Sequence, residues 1–133
     1  MHEVIKFLSD NRIFYLATVD GDEPKVRPFG FVMEFEQKIY FCTNNRKDVF
    51  KQLQANPKFE LCTADNTGRW IRLKGRAIFD NNYAAKEKVF ELMPRLTEIY
   101  QNASNPIFEV FYLADGEATI YNMSGEKKTY KLS

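Results

Sequence analysis

Short strand-like segments joined by tight turns are the feature that most restricts the fold of this chain. An apolar run at residues 13–19 is followed by Asp20, Gly21 and Asp22, which are typical of a hairpin turn, and then by a longer strand-like run at residues 24–35. Further runs lie at residues 37–43, 58–64, 69–79, 107–113, 117–123 and 127–132. Because most connections are hairpins, we predict a mainly β fold, an antiparallel β-barrel of six or seven strands with attached helices.

Helical periodicity appears at residues 3–8, 46–54 and 83–93. Asn45 and Asp48 have the spacing of a helix cap and its return partner, which predicts a capped start for the second helix. The chain has 133 residues, enough for one hydrophobic core, and contains no repeat or linker. The sequence therefore predicts a single domain spanning residues 1–133.

The charge balance indicates that positive charge acts locally. Lys and Arg number 19, Asp and Glu number 18, and the net charge is +1, so no global field attracts nucleic acid or an anionic membrane. No apolar run reaches membrane-spanning length, and the N-terminus does not have the pattern of a signal peptide. Cys42 and Cys62 lack metal or redox spacing and indicate free thiols in a reducing, cytoplasmic compartment.

The single histidine excludes several kinds of catalytic site. His2 lies at the chain terminus, so a Ser–His–Asp or Cys–His site is not expected, and neither is a His-based metal site. No side chain stands out as a general acid or base, and the catalytic residues are left unassigned. If the protein is an enzyme, a bound cofactor carries the chemistry.

A polar turn between a strand and a helix suggests an anion site. Thr43, Asn45, Arg46 and Lys47 lie where the helix at residues 46–54 begins. A helix N-terminus offers free N–H groups and the positive end of the helix dipole. This turn therefore predicts binding of a phosphorylated small molecule. The alternative is a capped surface helix with a solvated Arg-Lys pair.

Two strand segments carry further candidate residues. Arg27 and Phe29 share one strand face, and Gly30 allows close backbone approach by a ligand, although an edge strand with a solvent-facing Arg27 fits the same pattern. At residues 69–76, Trp70 shares a face with three cations. That face forms either a ligand groove or, the interpretation we favour, a solvated outer face. A barrel with such residues can also bind single-stranded nucleic acid, but the balanced charge and missing RNA-binding motifs argue against this partner.

Taken in order, several segments resemble the pyridoxamine 5'-phosphate oxidase-like FMN-binding split barrels. The resemblance covers nearly the whole chain and rests on residues 24–31, residues 40–43 with Lys47, residues 56–57 and residues 74–77. It implies a six- or seven-stranded antiparallel split barrel and a homodimer that holds FMN at the subunit interface. The implied activity is flavin-dependent oxidoreduction of a small-molecule substrate. The alternative is a flavin-binding sensor without turnover.

The resemblance also implies roles for individual residues. Arg27 and Lys47 would neutralise the FMN phosphate, and Thr43, Asn45 and Arg46 would add hydrogen bonds or charge. The flavin ring would lie along Pro28, Phe29 and Gly30, and Trp70 would approach it, from the same subunit or its partner. The full set is Arg27, Pro28, Phe29, Gly30, Thr43, Asn45, Arg46, Lys47 and Trp70.

Two departures from the family pattern narrow the expected chemistry. Residues 121–133 lack the Arg and His pair with which the true oxidase holds its vitamin substrate, so oxidation of pyridoxamine phosphate is not expected. Relatives with this fold also bind haem or a deazaflavin, and some are linked to nitroimidazole reduction. The lack of a usable histidine disfavours His-ligated haem and any nitroimidazole reduction that needs one.

Overall fold

The secondary structure is dominated by strands. A computed structural model describes residues 1–132 of the chain. The strands in these residues are β1 (Phe14–Asp20), β2 (Glu23–Phe29), β3 (Met33–Phe35), β4 (Lys38–Asn44), β5 (Lys58–Ala64), β6 (Trp70–Phe79), β7 (Phe108–Tyr121) and β8 (Lys127–Leu132). The α-helices are α1 (His2–Asp10), α2 (Asp48–Ala55), α3 (Tyr83–Leu92) and α4 (Thr97–Tyr100), and a 3-10 turn at Pro94–Leu96 joins the last two.

The strands form one curled antiparallel sheet that does not close. Its order is β2-β1-β5-β6-β7-β4-β3, with β8 paired to β7. Rings from distant strands meet across the interior: the Phe14 ring of β1 lies 5.9 Å from Phe41 of β4, and Phe29 of β2 lies 6.2 Å from Phe111 of β7. The sheet therefore wraps around one core and forms a split barrel, which confirms the mainly β, antiparallel prediction.

The described residues contain eight strands, against the six or seven predicted, and two predicted segments have different bounds in the structure. The predicted strand at residues 24–35 divides into β2 and β3, since the ladder breaks after Phe29. The two segments predicted at residues 107–123 form one strand, β7. In place of a turn between them, the pairing of β7 with β6 has an irregularity, at which the register shifts. At this point β6 and β7 approach so closely that a Cβ on Gly75 would lie 2.7 Å from the Ala114 carbonyl oxygen.

Alternation along β4 explains how this strand serves two hydrophobic clusters. Phe41 packs inside the barrel against Phe14 and Phe111, whereas Tyr40 packs on the opposite face in a cluster with residues of α3. Thr43 follows Phe41 by two residues and so lies on the inner face. Complete burial of each such ring contributes roughly 1.5–3 kcal/mol. The core thereby fixes the end of β4, where α2 begins.

No helix within residues 1–132 has the length and apolar character needed to cross a membrane.

Candidate functional site

The first turn of α2 is open rather than capped. The helix begins at Asp48 with Lys47 as its N-cap, and no side chain caps it. The predicted capping role of Asn45 is wrong, because its side-chain amide donates to the Pro106 carbonyl and to Glu109 Oε2, both at 2.9 Å. Among the described residues, no acceptor or cap pairs with the backbone N–H groups of Asp48 and Val49. Free N–H groups of this kind favour an anion.

Thr43 carries an unpaired hydroxyl at the same place. The residue is 5% exposed, and its Oγ1 is the one buried side-chain N or O atom without a hydrogen-bond partner in residues 1–132. Leaving a buried hydroxyl unpaired costs about 1–3 kcal/mol. A bound ligand with hydrogen-bonding oxygens would remove that cost.

Arg27 is held in a fixed orientation from two sides. One terminal nitrogen donates to Thr18 Oγ1 at 2.7 Å and the Leu16 carbonyl at 3.3 Å, and the other donates to Gln52 Oε1 at 2.6 Å. Thr18 also donates to Gln52 Oε1, at 2.6 Å, which links β1 to α2. A guanidinium has five N–H donors, so two remain for a ligand. β2 is an edge strand as the alternative interpretation expected, but Arg27 does not point freely into solvent.

Arg27 remains positively charged in this environment. Burial lowers the pKa of Arg27, and the carboxylate of Asp48 acts in the opposite direction. An arginine starts from so high a pKa that it remains protonated at neutral pH. Arg27 therefore offers a permanent cation beside the open start of α2.

Two adjoining depressions surround these groups. The inner cavity has a volume of about 230 Å³, and the outer groove one of about 1000 Å³. The inner cavity is lined by Arg27, Pro28, Phe29, Gly30, Phe31, Cys42, Thr43, Lys47, Val49, Met93 and Arg95. The outer groove shares Arg27, Pro28, Lys47 and Val49 with the inner cavity and continues past Gln52 to the Asp20–Gly21 hairpin. Together they give an anion-binding corner that opens into a longer groove.

The inner cavity brings together six of the nine residues predicted from the sequence. These are Arg27, Pro28, Phe29, Gly30, Thr43 and Lys47. The Phe29 ring also packs against Phe14 and Phe111, so this ring is part of the hydrophobic core. Asn45 and Arg46 line neither depression: Asn45 is bound to Glu109, and Arg46 is exposed on the turn.

Trp70 lies apart from the inner cavity of its own chain. Its ring stacks on that of Tyr121, with 5.1 Å between the ring centres, at the C-terminal end of β7. Thr43 of the inner cavity pairs with Glu109, which lies near the other end of the same strand. The cations that share its strand face are largely exposed and form ion pairs, such as Arg72 with Glu60 at 2.7 Å. The favoured interpretation of this strand as a solvated outer face is confirmed for those cations.

Four further residues line the inner cavity without having been predicted from the sequence: Cys42, Val49, Met93 and Arg95. Met93 and Arg95 come from the end of α3 and the 3-10 turn, far along the chain from β2, and no local pattern signals their position. Burial raises the pKa of Cys42 to about 12, although the charge of Lys47 lowers it. The thiol is therefore protonated and unreactive at neutral pH.

Comparisons with known proteins agree with this fold. A model of the pyridoxamine 5'-phosphate oxidase family matches residues 1–125. A NimC/NimA family protein of Clostridium acetobutylicum is 42% identical, with a TM-score of 0.94, covering 99% of this chain and 92% of that one. No curated protein matches.

Two more distant solved structures share the fold alone. General stress protein 26 of Bacillus anthracis is 19% identical with a TM-score of 0.73, covering 98% of this chain and 100% of that one. A pyridoxamine 5'-phosphate oxidase-related, FMN-binding protein of Nostoc punctiforme is 18% identical with a TM-score of 0.68. The match covers 99% of this chain and 95% of that one. From the family model and the 42% identical relative, we conclude that the chain belongs to the pyridoxamine 5'-phosphate oxidase family.

Proposed function

We propose that this protein binds FMN and is a flavin-dependent oxidoreductase that acts on a small molecule. The observation that carries the proposal is the buried, unpaired Thr43 hydroxyl in one cavity with Arg27 and the open start of α2. A flavin phosphate supplies acceptor oxygens for all of these donors. The FMN-binding relative from Nostoc punctiforme has the same fold, which adds support.

The residues present fit the phosphate end of FMN. Thr43 and the first N–H groups of α2 would donate hydrogen bonds, and Lys47 and the two remaining Arg27 donors would supply charge. Arg46 would add charge at the rim. Asn45 would act indirectly, because its bonds to Pro106 and Glu109 hold the turn in place.

The wall for the flavin ring would be the exposed backbone after Arg27. A Cβ added at Gly30 would meet only the Arg12 carbonyl oxygen, at 3.8 Å, so packing within the chain does not demand a glycine here. A glycine leaves the backbone open to a flat ligand. Pro28 is exposed beside it and offers an apolar contact.

Bound FMN would supply hydride transfer, while the protein would bind, orient and shield it. The cavity contains no evident general acid or base, since Cys42 is protonated and His2 is exposed at the start of α1. The proposed role of the chain is therefore positioning and electrostatic tuning.

A homodimer with FMN at its interface is part of the proposal. Opposed residues of antiparallel strands share a face, so Tyr15, Pro28 and Cys62 lie together on the outside of the sheet. Val26 lies on this face and is 66% exposed, and Trp70 lies at its far side. This face, which also carries the ion-paired Arg72 and Glu60, reaches Pro28 at the rim of the inner cavity. A second copy there would bring its own Trp70 towards the cofactor.

The dimer is tested by light scattering. We expect a mass of about 31 kDa, twice the 15.6 kDa of one chain. Val26→Glu should yield a monomer that retains its fold, whereas Ile99→Glu, which alters an equally exposed residue of α4, should leave the dimer intact. A monomeric unaltered protein would contradict an interfacial site.

A cytoplasmic location is also proposed, because both cysteines are free in the structure and a reducing compartment would keep them so.

Flavin binding is tested by the visible absorption spectrum of the protein after FMN is added and excess is removed. Retained bands with shifted maxima would support the site. Lys47→Ala should weaken binding about tenfold or more, since it removes a charged donor to phosphate. Lys58→Ala, at an exposed lysine that lines neither depression, serves as the control. Equal FMN affinity in both variants would exclude Lys47 from the site.

Turnover is tested separately from binding. Reduced holoprotein that is reoxidised rapidly by an added acceptor behaves as an enzyme, whereas slow reoxidation by every acceptor fits a sensor. Without retained FMN, the next ligands to test are a deazaflavin, haem and single-stranded oligonucleotides over a salt series. Tight oligonucleotide binding with a steep salt dependence would replace the flavin proposal.

A further inference from the structure

The inner cavity contains a cation that the proposed FMN phosphate does not require. Arg95 lies on the 3-10 turn after α3 and lines the cavity together with Phe31 and Met93. It is exposed, and among the described residues no hydrogen bond or ion pair involves its guanidinium. Nothing within residues 1–132 therefore compensates its charge at close range.

If Arg27 and Lys47 bind the proposed FMN phosphate, Arg95 is left without an anionic partner. A phosphate monoester carries about 1.5 to 2 negative charges at pH 7, which the charges of Arg27 and Lys47 balance. The partial positive charge at the start of α2 adds to them. Within residues 1–132, no carboxylate lines the inner cavity, and Asp48, whose charge acts on Arg27, lines the outer groove.

We propose that Arg95 binds the carboxylate of the substrate, whose flat apolar body packs against Phe31 and Met93. This inference rests on the proposed FMN site and names the substrate class for it. A guanidinium matches a carboxylate with two parallel hydrogen bonds, and its planar fork fixes the orientation of the ligand. Arg95 would thus select anionic over neutral substrates of the same shape.

The probes are benzoate and benzamide, which share size and shape but differ in charge. Each is titrated into FMN-loaded protein while the flavin absorption spectrum is recorded. We expect benzoate to perturb the spectrum with an affinity at least about tenfold above that of benzamide. Arg95→Gln should abolish this preference and leave FMN affinity within about twofold, whereas Arg95→Lys should retain part of it. Arg12→Gln, at another exposed arginine that lines neither depression, should behave like the unaltered protein.

Three results would overturn the assignment of Arg95. Equal affinity for the two probes, or no spectral response to either, would exclude carboxylate recognition. A loss of FMN affinity in Arg95→Gln as large as in Lys47→Ala would assign Arg95 to the cofactor phosphate instead. If the unaltered protein itself retains no FMN, the proposed function fails first, and that outcome is visible before any probe is added.

Discussion

Replacing Thr43 with valine should stabilise the protein without ligand and weaken its binding of FMN. Valine has nearly the shape of threonine, so it fills the same space on the inner face of β4 and removes only the hydroxyl. That hydroxyl is buried and has no partner among the described residues. The two effects have opposite signs because the hydroxyl is costly without a ligand and useful with one.

The structure sets the size of both effects. Removing an unpaired buried hydroxyl should recover up to about 1–3 kcal/mol of the free energy of unfolding. For a chain of this length each kcal/mol raises the melting temperature by roughly 4 °C. A hydrogen bond to a charged phosphate is worth about 1.5–3 kcal/mol, so its loss should reduce FMN affinity roughly 10- to 100-fold.

The assay pairs urea unfolding of the apoprotein with titration of FMN fluorescence, both at one fixed protein concentration. Thr63→Val is the matched control, because Thr63 is also a buried strand threonine but donates to the Ile13 carbonyl at 2.9 Å. That control should lose about 1 kcal/mol of stability. It should keep its FMN affinity, since Thr63 lines neither depression.

The reasoning is refuted if Thr43→Val behaves like its control. A destabilised apoprotein would mean that the Thr43 hydroxyl has a partner within the fold, such as a bound water. Unchanged FMN affinity would mean that the phosphate does not reach β4. Either result would remove the observation on which the proposed function depends.

Further predictions concern two glycines and the buried thiol. Gly30→Ala should change the free energy of unfolding by less than about 0.5 kcal/mol, because the added Cβ has space, yet shift the flavin absorption maxima of the holoprotein. Gly75→Ala should destabilise the protein by about 1–3 kcal/mol in urea unfolding, because its Cβ would lie 2.5 Å from Leu113 Cδ1. Cys42 binds its proton more tightly in the folded state, so its contribution to stability is lost as pH rises from about 8.5, the unfolded pKa, towards 12. Unfolding followed at pH 8 to 11 checks this, and Cys42→Ala should flatten the decline.

The antiparallel fold could be predicted from sequence because its determinants are local. The Asp20–Gly21 turn fixes the β1–β2 hairpin, and the unbroken apolar run of residues 39–42 in β4 indicates that both faces of this strand are buried. The number of strands could not be predicted in the same way. Whether residues 107–123 make a hairpin or one long strand depends on β6, whose register shift and Gly75 accommodate the irregularity.

Candidate site residues could be identified from the sequence where the residue type and its local position suggest a role. They could not be identified where the role depends on contacts with residues distant in the chain. A basic turn with a threonine at a helix start favours an anion site in any fold, and this pattern made Thr43 and Lys47 candidates. The cap predicted at Asn45 failed because Glu109, more than sixty residues later, holds its side chain. Arg95 reaches the cavity through the packing of α3, which no pattern near β2 reveals.

Unpaired hydrogen-bond donors are concentrated at one corner of the barrel, and this concentration favours a bound ligand there. In an exposed polar turn elsewhere, the hydrogen-bonding groups pair with one another. The Asp65 carboxylate accepts hydrogen bonds from Thr67 and from both the backbone and the side chain of Arg69. Beside α2, by contrast, the Thr43 hydroxyl, the N–H groups of Asp48 and Val49 and two donors of Arg27 have no acceptor within residues 1–132, and these four residues line the two adjoining depressions. Natural proteins tend to leave buried polar groups unpaired at functional sites, because an unpaired group lowers stability wherever it occurs. β2 is an edge strand, so this corner lies at an open side of the sheet, where the phosphate of the proposed cofactor would accept the hydrogen bonds that the chain leaves unmade.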